Sequence, residues 1–261
     1  MNTKNINYLL IGLMLCAFTF SACSSESKQP EAKYIEEGLD KVIKANRDLD
    51  NYTVLLWDMD YKDKKYMHKY MVVSEKMDSV VENEETEWME VSPQFFQANE
   101  NHLDMELATK TAGKLSKEVA PPGFSQYVGN EKYGQWKEKD GDRFWEFAGR
   151  YAFMSLMFHS IMTPRYSSWN THRGSYRGTG KPYYGSGGSQ YGTSKSLASG
   201  SARKTNWSAK PATFRDKVRT QVRQSTSAAS RAPSSSSKTK RNTNRHTPSS
   251  SSRSRGGGFG K

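Results

Sequence analysis

Cysteine is nearly absent, with two residues in 261. That count excludes a disulfide-stapled scaffold and a Cys-rich zinc module. Apolar side chains are also scarce, at 34% of the chain with a mean hydropathy of -0.86. A small folded region with long solvated segments is therefore expected, and one large core is not. Acids are missing from the second half. Residues 147–261 hold 21 Lys/Arg and a single acid, Asp216, whereas residues 1–146 hold 18 Lys/Arg and 26 Asp/Glu. The formal charge of +12 is the remainder of a front at -8 and an end at +20. Such asymmetry points to an interaction arm carried by an acidic body.

Catalytic signatures are missing too. His68, His102, His159, His172 and His246 form no HExxH and no i,i+4 pair, so a zinc site needs tertiary convergence. No G-x-S-x-G elbow occurs among the many serines. Gly174 to Pro182 has the wrong spacing for a phosphate loop, and Pro182 stands where the magnesium-binding hydroxyl belongs. Asp58, Asp60 and Asp63 offer hard oxygen ligands, but they lack the Gly and terminal Glu of a calcium loop and are crowded by Lys62, Lys64 and Lys65. Asp58 and Asp60 read as one solvated strand face, and Glu82, Glu84, Glu85 and Glu87 as a solvated acidic run. No catalytic residue, metal ligand or cofactor is expected. If the body did hold an enzyme site, its side chains would come from Asp58, Asp60, His68 and Tyr70.

What the amino terminus does contain is an apolar run of about a dozen residues, Leu9 to Phe20, behind a short polar start with Lys4. It is too short for a spanning helix of roughly 20 residues and fits a signal-peptide core over residues 1–22. Ser21-Ala22-Cys23 follows, and here the chain resembles bacterial lipoprotein precursors. That resemblance implies cleavage before Cys23 and acylation of its sulfur, and with Ser24 next it implies the outer membrane in preference to the inner, facing the periplasm or the cell surface. Acyl chains contribute ~0.8 kcal/mol per buried CH2, so the membrane is the first expected partner. Ser24 to Pro30 reads as a tether.

Residues 31–119 read as a small α+β domain. Helical spacing spans Glu31–Leu49. Strands are expected at Asn51–Tyr61 and Tyr66–Val73 around a Lys62–Lys65 turn, with a third at Glu84–Phe96. A second helix is expected over His102–Val119, stopped by Pro121-Pro122-Gly123. A helix followed by an antiparallel meander is the order of cystatin-like folds. Residues 120–163 are the most aromatic. After the Asp140-Gly141 turn, a helix is expected over 143–162, with Glu146 and Arg150 as an i,i+4 pair. Its apolar face, including Phe147, Tyr151 and Phe158, would pack as core or dock a membrane or partner, the latter making the chain an accessory or assembly factor. The Pro-Pro-Gly-Phe and Tyr-Gly-Gln-Trp stretches resemble uncharacterised bacterial lipoproteins with Tyr/Gly/Ser-rich tails, which implies no activity.

Residues 164–261 contain 22 Ser, 12 Gly and 20 Lys/Arg, a composition that predicts disorder. One island breaks it: Phe214, Val218 and Val222 at i, i+4 and i+8, among Arg215, Lys217, Arg219 and Arg223. These cations are the candidate contacts to an anionic surface, through a short basic amphipathic helix. An exported lipoprotein meets lipid headgroups, lipopolysaccharide phosphates and acidic glycans before nucleic acid, so the expected partner is an anionic envelope polymer or lipid.

Overall fold

The computed structural model describes residues 36–76, 80–159, 163–198, 201 and 203–231. Cys23 and its flanks, and residues 232–261, lie outside the described residues. The chain is an α+β protein with an antiparallel sheet between two layers of side-chain packing.

Helix α1 (Gly38–Ala45) occupies the middle of the expected amino-terminal helix and buries Leu39 and Val42. β1 (Asn51–Lys62) and β2 (Lys65–Lys76) pair through a two-residue turn in which Asp63 and Lys64 both have positive φ, 53° and 62°. That turn matches the right-handed twist of the flanking strands. The register slips at Trp57, between the Leu56–Tyr70 and Asp58–Lys69 partners. This bulge moves the side chains of one face from Tyr52, Val54 and Leu56 to Met59, and it re-aims Asp58.

The third expected strand is shorter than read. β3 (Val80–Glu85) and β4 (Met89–Val91) both pair with β2, and Ser92-Pro93 then starts helix α2 (Pro93–Ala98). Ser92 Oγ accepts from the Phe95 N–H, and Pro93 stands where its missing N–H costs nothing.

The helix expected over His102–Val119 is instead β5 (Glu106–Thr111) and β6 (Lys114–Ser116), joined at Ala112 and Gly113 with φ of 48° and 76°. β5 lies between β1 and β6 and is covered on both faces, so Glu106 through Thr109 are all buried. Burial on both faces erases the period of two, and the apolar spacing imitates a helix. The sheet order is β3-β2-β1-β5-β6, with β4 on β2.

The helix expected over 143–162 is corrected in its first half. β7 (Gly134–Lys139) and β8 (Asp142–Phe147) form a hairpin across Asp140-Gly141, φ 54° and 79°. Glu146 faces Lys137 at 3.6 Å across this hairpin and does not pair helically with Arg150. A 3-10 turn (Gly149–Tyr151) and α3 (Phe153–His159) follow.

The segment expected to be disordered from residue 164 is also corrected as far as 231. It forms α4 (Tyr166–Ser175), α5 (Thr193–Leu197), α6 (Asn206–Ala209) and α7 (Ala212–Arg231). On one face of the sheet, α1, α2 and α7 meet around Tyr70, Phe96, Trp207, Val218 and Val222. On the other, Leu55, Met71 and Val73 pack beneath Tyr127, Trp145, Phe147, Phe158, Tyr183 and Tyr191. Each fully buried aromatic contributes about 1.5–3 kcal/mol of transfer free energy, which offsets the ordering cost that the polar composition suggested would win. Described residues of 31–119, 120–163 and the first part of the tail all contribute to the two packing layers on this sheet.

Candidate functional site

The charge asymmetry of the sequence resolves inside the fold, where carboxylates of the body hold the cationic segment after residue 192. Asp104 is the centre. It is 3% exposed, with φ of 67°, a conformation Asp tolerates. Arg203 donates to Asp104 Oδ1 through Nε at 2.9 Å and also through its terminal nitrogen, and Ser196 Oγ donates to Oδ2. The same guanidinium donates to the Trp57 carbonyl and lies over the Trp57 ring, 3.8 Å from its centroid. Burial pushes the Asp104 carboxyl up, while Arg203 and Ser196 pull it down.

Asp58, re-aimed by the bulge, accepts the N–H groups of Asn206 at 2.7 Å and Trp207 at 3.2 Å. Its carboxylate therefore adds an anion to the amino end of α6, beside the Thr205–Ser208 capping box. Asp60 pairs with Lys210 at 3.2 Å. Glu100 meets Arg219 at 3.7 Å and Arg223 at 3.5 Å. The expected solvated strand face is thus corrected: Asp58 is buried, Asp60 is half-buried, and both anchor the tail.

The candidate surface cations divide accordingly. Arg215 turns back to the carbonyls of Trp207, Ser208 and Lys210. Arg219 is occupied by Glu100 and Asp216. Lys217 is exposed, and Arg223 is exposed while reaching Glu100. The candidate docking face is not a surface at all: Phe147, Tyr151 and Phe158 are 3%, 4% and 0% exposed. The face is lost because β8 and α3 turn these side chains against Tyr133 and Tyr127.

The four side chains named for an enzyme site do not meet in one cleft. Asp58 is engaged by α6. His68 is sealed among Phe95, Phe96 and Tyr70, with Nδ1 3.3 Å from the Tyr70 hydroxyl. Burial pushes His68 down to about 3 and His102 down to about 4, and His102 Nδ1 lies 3.0 Å from Asn99 Oδ1. Glu106 is raised to about 7 by burial, but its two oxygens accept the Gly123 and Ser125 N–H groups at 2.6 and 3.3 Å. Among the described residues, no three His, Cys, Asp or Glu side chains are grouped to hold a metal ion.

Above the Arg203 anchor lies a cleft of about 320 Å³, lined by Trp57, Trp88, Lys69, Glu85, Lys204 and Asn206. Lys69 and Glu85 pair across it at 2.6 Å. Lys204 is exposed at its rim. These groups suit hydrogen bonding and charge pairing with a polar ligand.

Sequence reasoning missed Glu100, Asp104, Arg203 and Trp207. The Thr205-Asn-Trp-Ser208-Ala-Lys-Pro211 stretch carried the signal, since a capping residue with a hydroxyl three positions on, then Pro before an i, i+4, i+8 apolar stripe, marks helix starts. No known protein family, curated protein or solved structure matches the chain. No helix among the described residues is long and apolar enough to cross a membrane.

Proposed function

We propose that the chain is a non-catalytic lipoprotein of a bacterial cell envelope, tethered at an acylated Cys23, whose basic carboxy-terminal extension binds an anionic polymer or lipid surface. The outer membrane is the favoured location. The observation that carries this reading is the partition of charge. Arg203, Lys210, Arg219 and Arg223 are met on the body by Asp104, Asp60 and Glu100. Residues 232–261 then add Lys238, Lys240, Arg241, Arg245, Arg253, Arg255 and Lys261 with no acid. Seven cations in a segment with no acid of its own attract an anionic surface, more strongly at low salt. This reading moves the binding function from residues 215–223, as expected from sequence, to the last 30 residues.

Co-sedimentation of the non-acylated chain, residues 24–261, with vesicles containing phosphatidylglycerol tests this reading. Exchange of those seven cations for Gln is expected to abolish binding at low salt, and binding by the native chain is expected to fade as salt rises. Equal binding by the exchanged chain would overturn it.

A further inference from the structure

The loop 123–131 and α4 enclose a second cleft, of about 500 Å³, on the aromatic side of the sheet. Trp169, Arg173 and Arg177 line one wall, and Ser125, Gln126 and Asn130 line the other, with Glu131 also present. Three features set its chemistry.

Trp169 is fixed in place. Its indole meets Trp136 at 5.5 Å and Tyr166 at 5.8 Å. Gly129, with φ of 79°, passes so close that a Cβ there would stand 2.3 Å from the indole carbons. Arg173 then lies over this held ring, 5.1 Å from its centroid. A stacked guanidinium keeps its in-plane N–H donors free for a planar anion. Finally, Arg173 and Arg177 are exposed, and neither has a carboxylate at ion-pair distance among the described residues. Arg203, Arg219 and Arg223, in contrast, each face one. Of the acids nearby, buried Glu106 accepts the Gly123 and Ser125 N–H groups, and Glu118 accepts the Gly178 N–H at 2.6 Å.

We propose that this cleft binds an acidic saccharide unit, its carboxylate or phosphate group between Arg173 and Arg177 and its hydroxyls on Ser125, Gln126 and Asn130. The volume accommodates a ligand of sugar size, and an arginine fork pairs bidentately with either anion. The amide and hydroxyl groups suit the hydroxyls of a sugar ring, and Trp169, with Phe124 and Val128 also in the lining, suits its apolar C–H face. This site is independent of the proposed function above, which places anion binding beyond residue 231.

Titration calorimetry on the full chain tests it, with glucuronate, glucose 6-phosphate and glucose as probes. Binding of at least one acidic sugar is expected, tenfold or more tighter than glucose. Arg173→Gln with Arg177→Gln is expected to weaken it at least tenfold with an unchanged urea midpoint, since both side chains are exposed. Exchange of the seven cations in 232–261 for Gln is expected to leave it intact. The proposal is overturned if neither acid binds, if glucose binds equally well, or if binding survives the double arginine change. Loss of binding on exchange of the carboxy-terminal cations alone would also overturn it, while leaving the proposed function standing.

Discussion

Asp104 holds Arg203, 99 positions later in the chain, in an ion pair whose side chains are only 4% and 13% exposed. A buried pair of this kind costs desolvation at both ends, and its loss is felt through the partner left behind. Arg203→Ala is expected to destabilise the fold by about 3–5 kcal/mol, because Asp104 keeps only Ser196. Asp104→Ala combined with Arg203→Leu is expected to cost less than the single change. Urea unfolding of the three chains measures the difference.

Trp207 is fully buried and packs edge-on to Phe96, with ring centroids 5.7 Å apart. Trp207→Ala is expected to cost about 3–5 kcal/mol. It is also expected to make residues 203–231 a site of rapid tryptic cleavage. Were this segment a solvated coil, the substitution would change neither the unfolding midpoint nor the cleavage pattern.

Phe158 is enclosed by Tyr127, Phe147 and Gly123. Phe158→Glu and Phe147→Glu are each expected to abolish cooperative unfolding, as a charge placed in that layer has no partner. A far-UV and near-UV circular dichroism comparison reads this directly. Native spectra for both variants would return this face to the surface.

Stability depends on pH in two opposing ways. His68 and His102 titrate near 3 and 4 in the fold against 6.5 when free. The unfolded chain therefore takes up protons first, and stability present above 6.5 is lost as pH falls, at ~1.4 kcal/mol per pH unit for each group. Glu106 is raised from 4.5 to about 7, so the fold binds its proton first. Its contribution is present below 4.5 and is lost as pH rises toward 7. Between 4.5 and 6.5 the two histidines outweigh the one glutamate, and stability is expected to fall with acidification. Glu106→Gln removes an opposing contribution and is expected to steepen that fall. Urea unfolding at pH 7 and pH 5.5 measures both slopes.

The proposed anchor predicts a change of compartment. Cys23→Ala is expected to move the protein from the membrane fraction to the soluble fraction and to remove the mass of the acyl chains from the mature chain. Membrane retention by this variant would contradict the lipid tether.

Local turn chemistry was readable from the residues. Lys62–Lys65 marked the β1–β2 turn, and Asp140-Gly141 marked a turn that proved to be a hairpin. The helix read after Asp140-Gly141 failed because Phe144, Trp145 and Phe147 satisfy both periods over so short a run, and the Asp-Gly turn decides between them. The candidate site was legible only in part. Asp58 and Asp60 were visible as an unusual acidic pair, but the bulge at Trp57 that turns Asp58 toward α6 has no marker in the sequence. The stripe of Phe214, Val218 and Val222 was visible as amphipathic and was assigned to a helix on an anionic surface, whereas Val218 and Val222 belong to the core that includes Phe96 and Tyr70.

By itself the sequence determined the α+β composition, the two turns of the hairpins and the division of charge between front and end, because these follow from residue type and short-range spacing. Only the tertiary structure decided where the cationic segment goes. Its helices are too short or too polar to be stable alone, and what holds them is a set of partners about 100 to 150 positions away: Glu100 and Asp104 for the arginines, Asp58 for the α6 backbone, and Phe96 for Trp207.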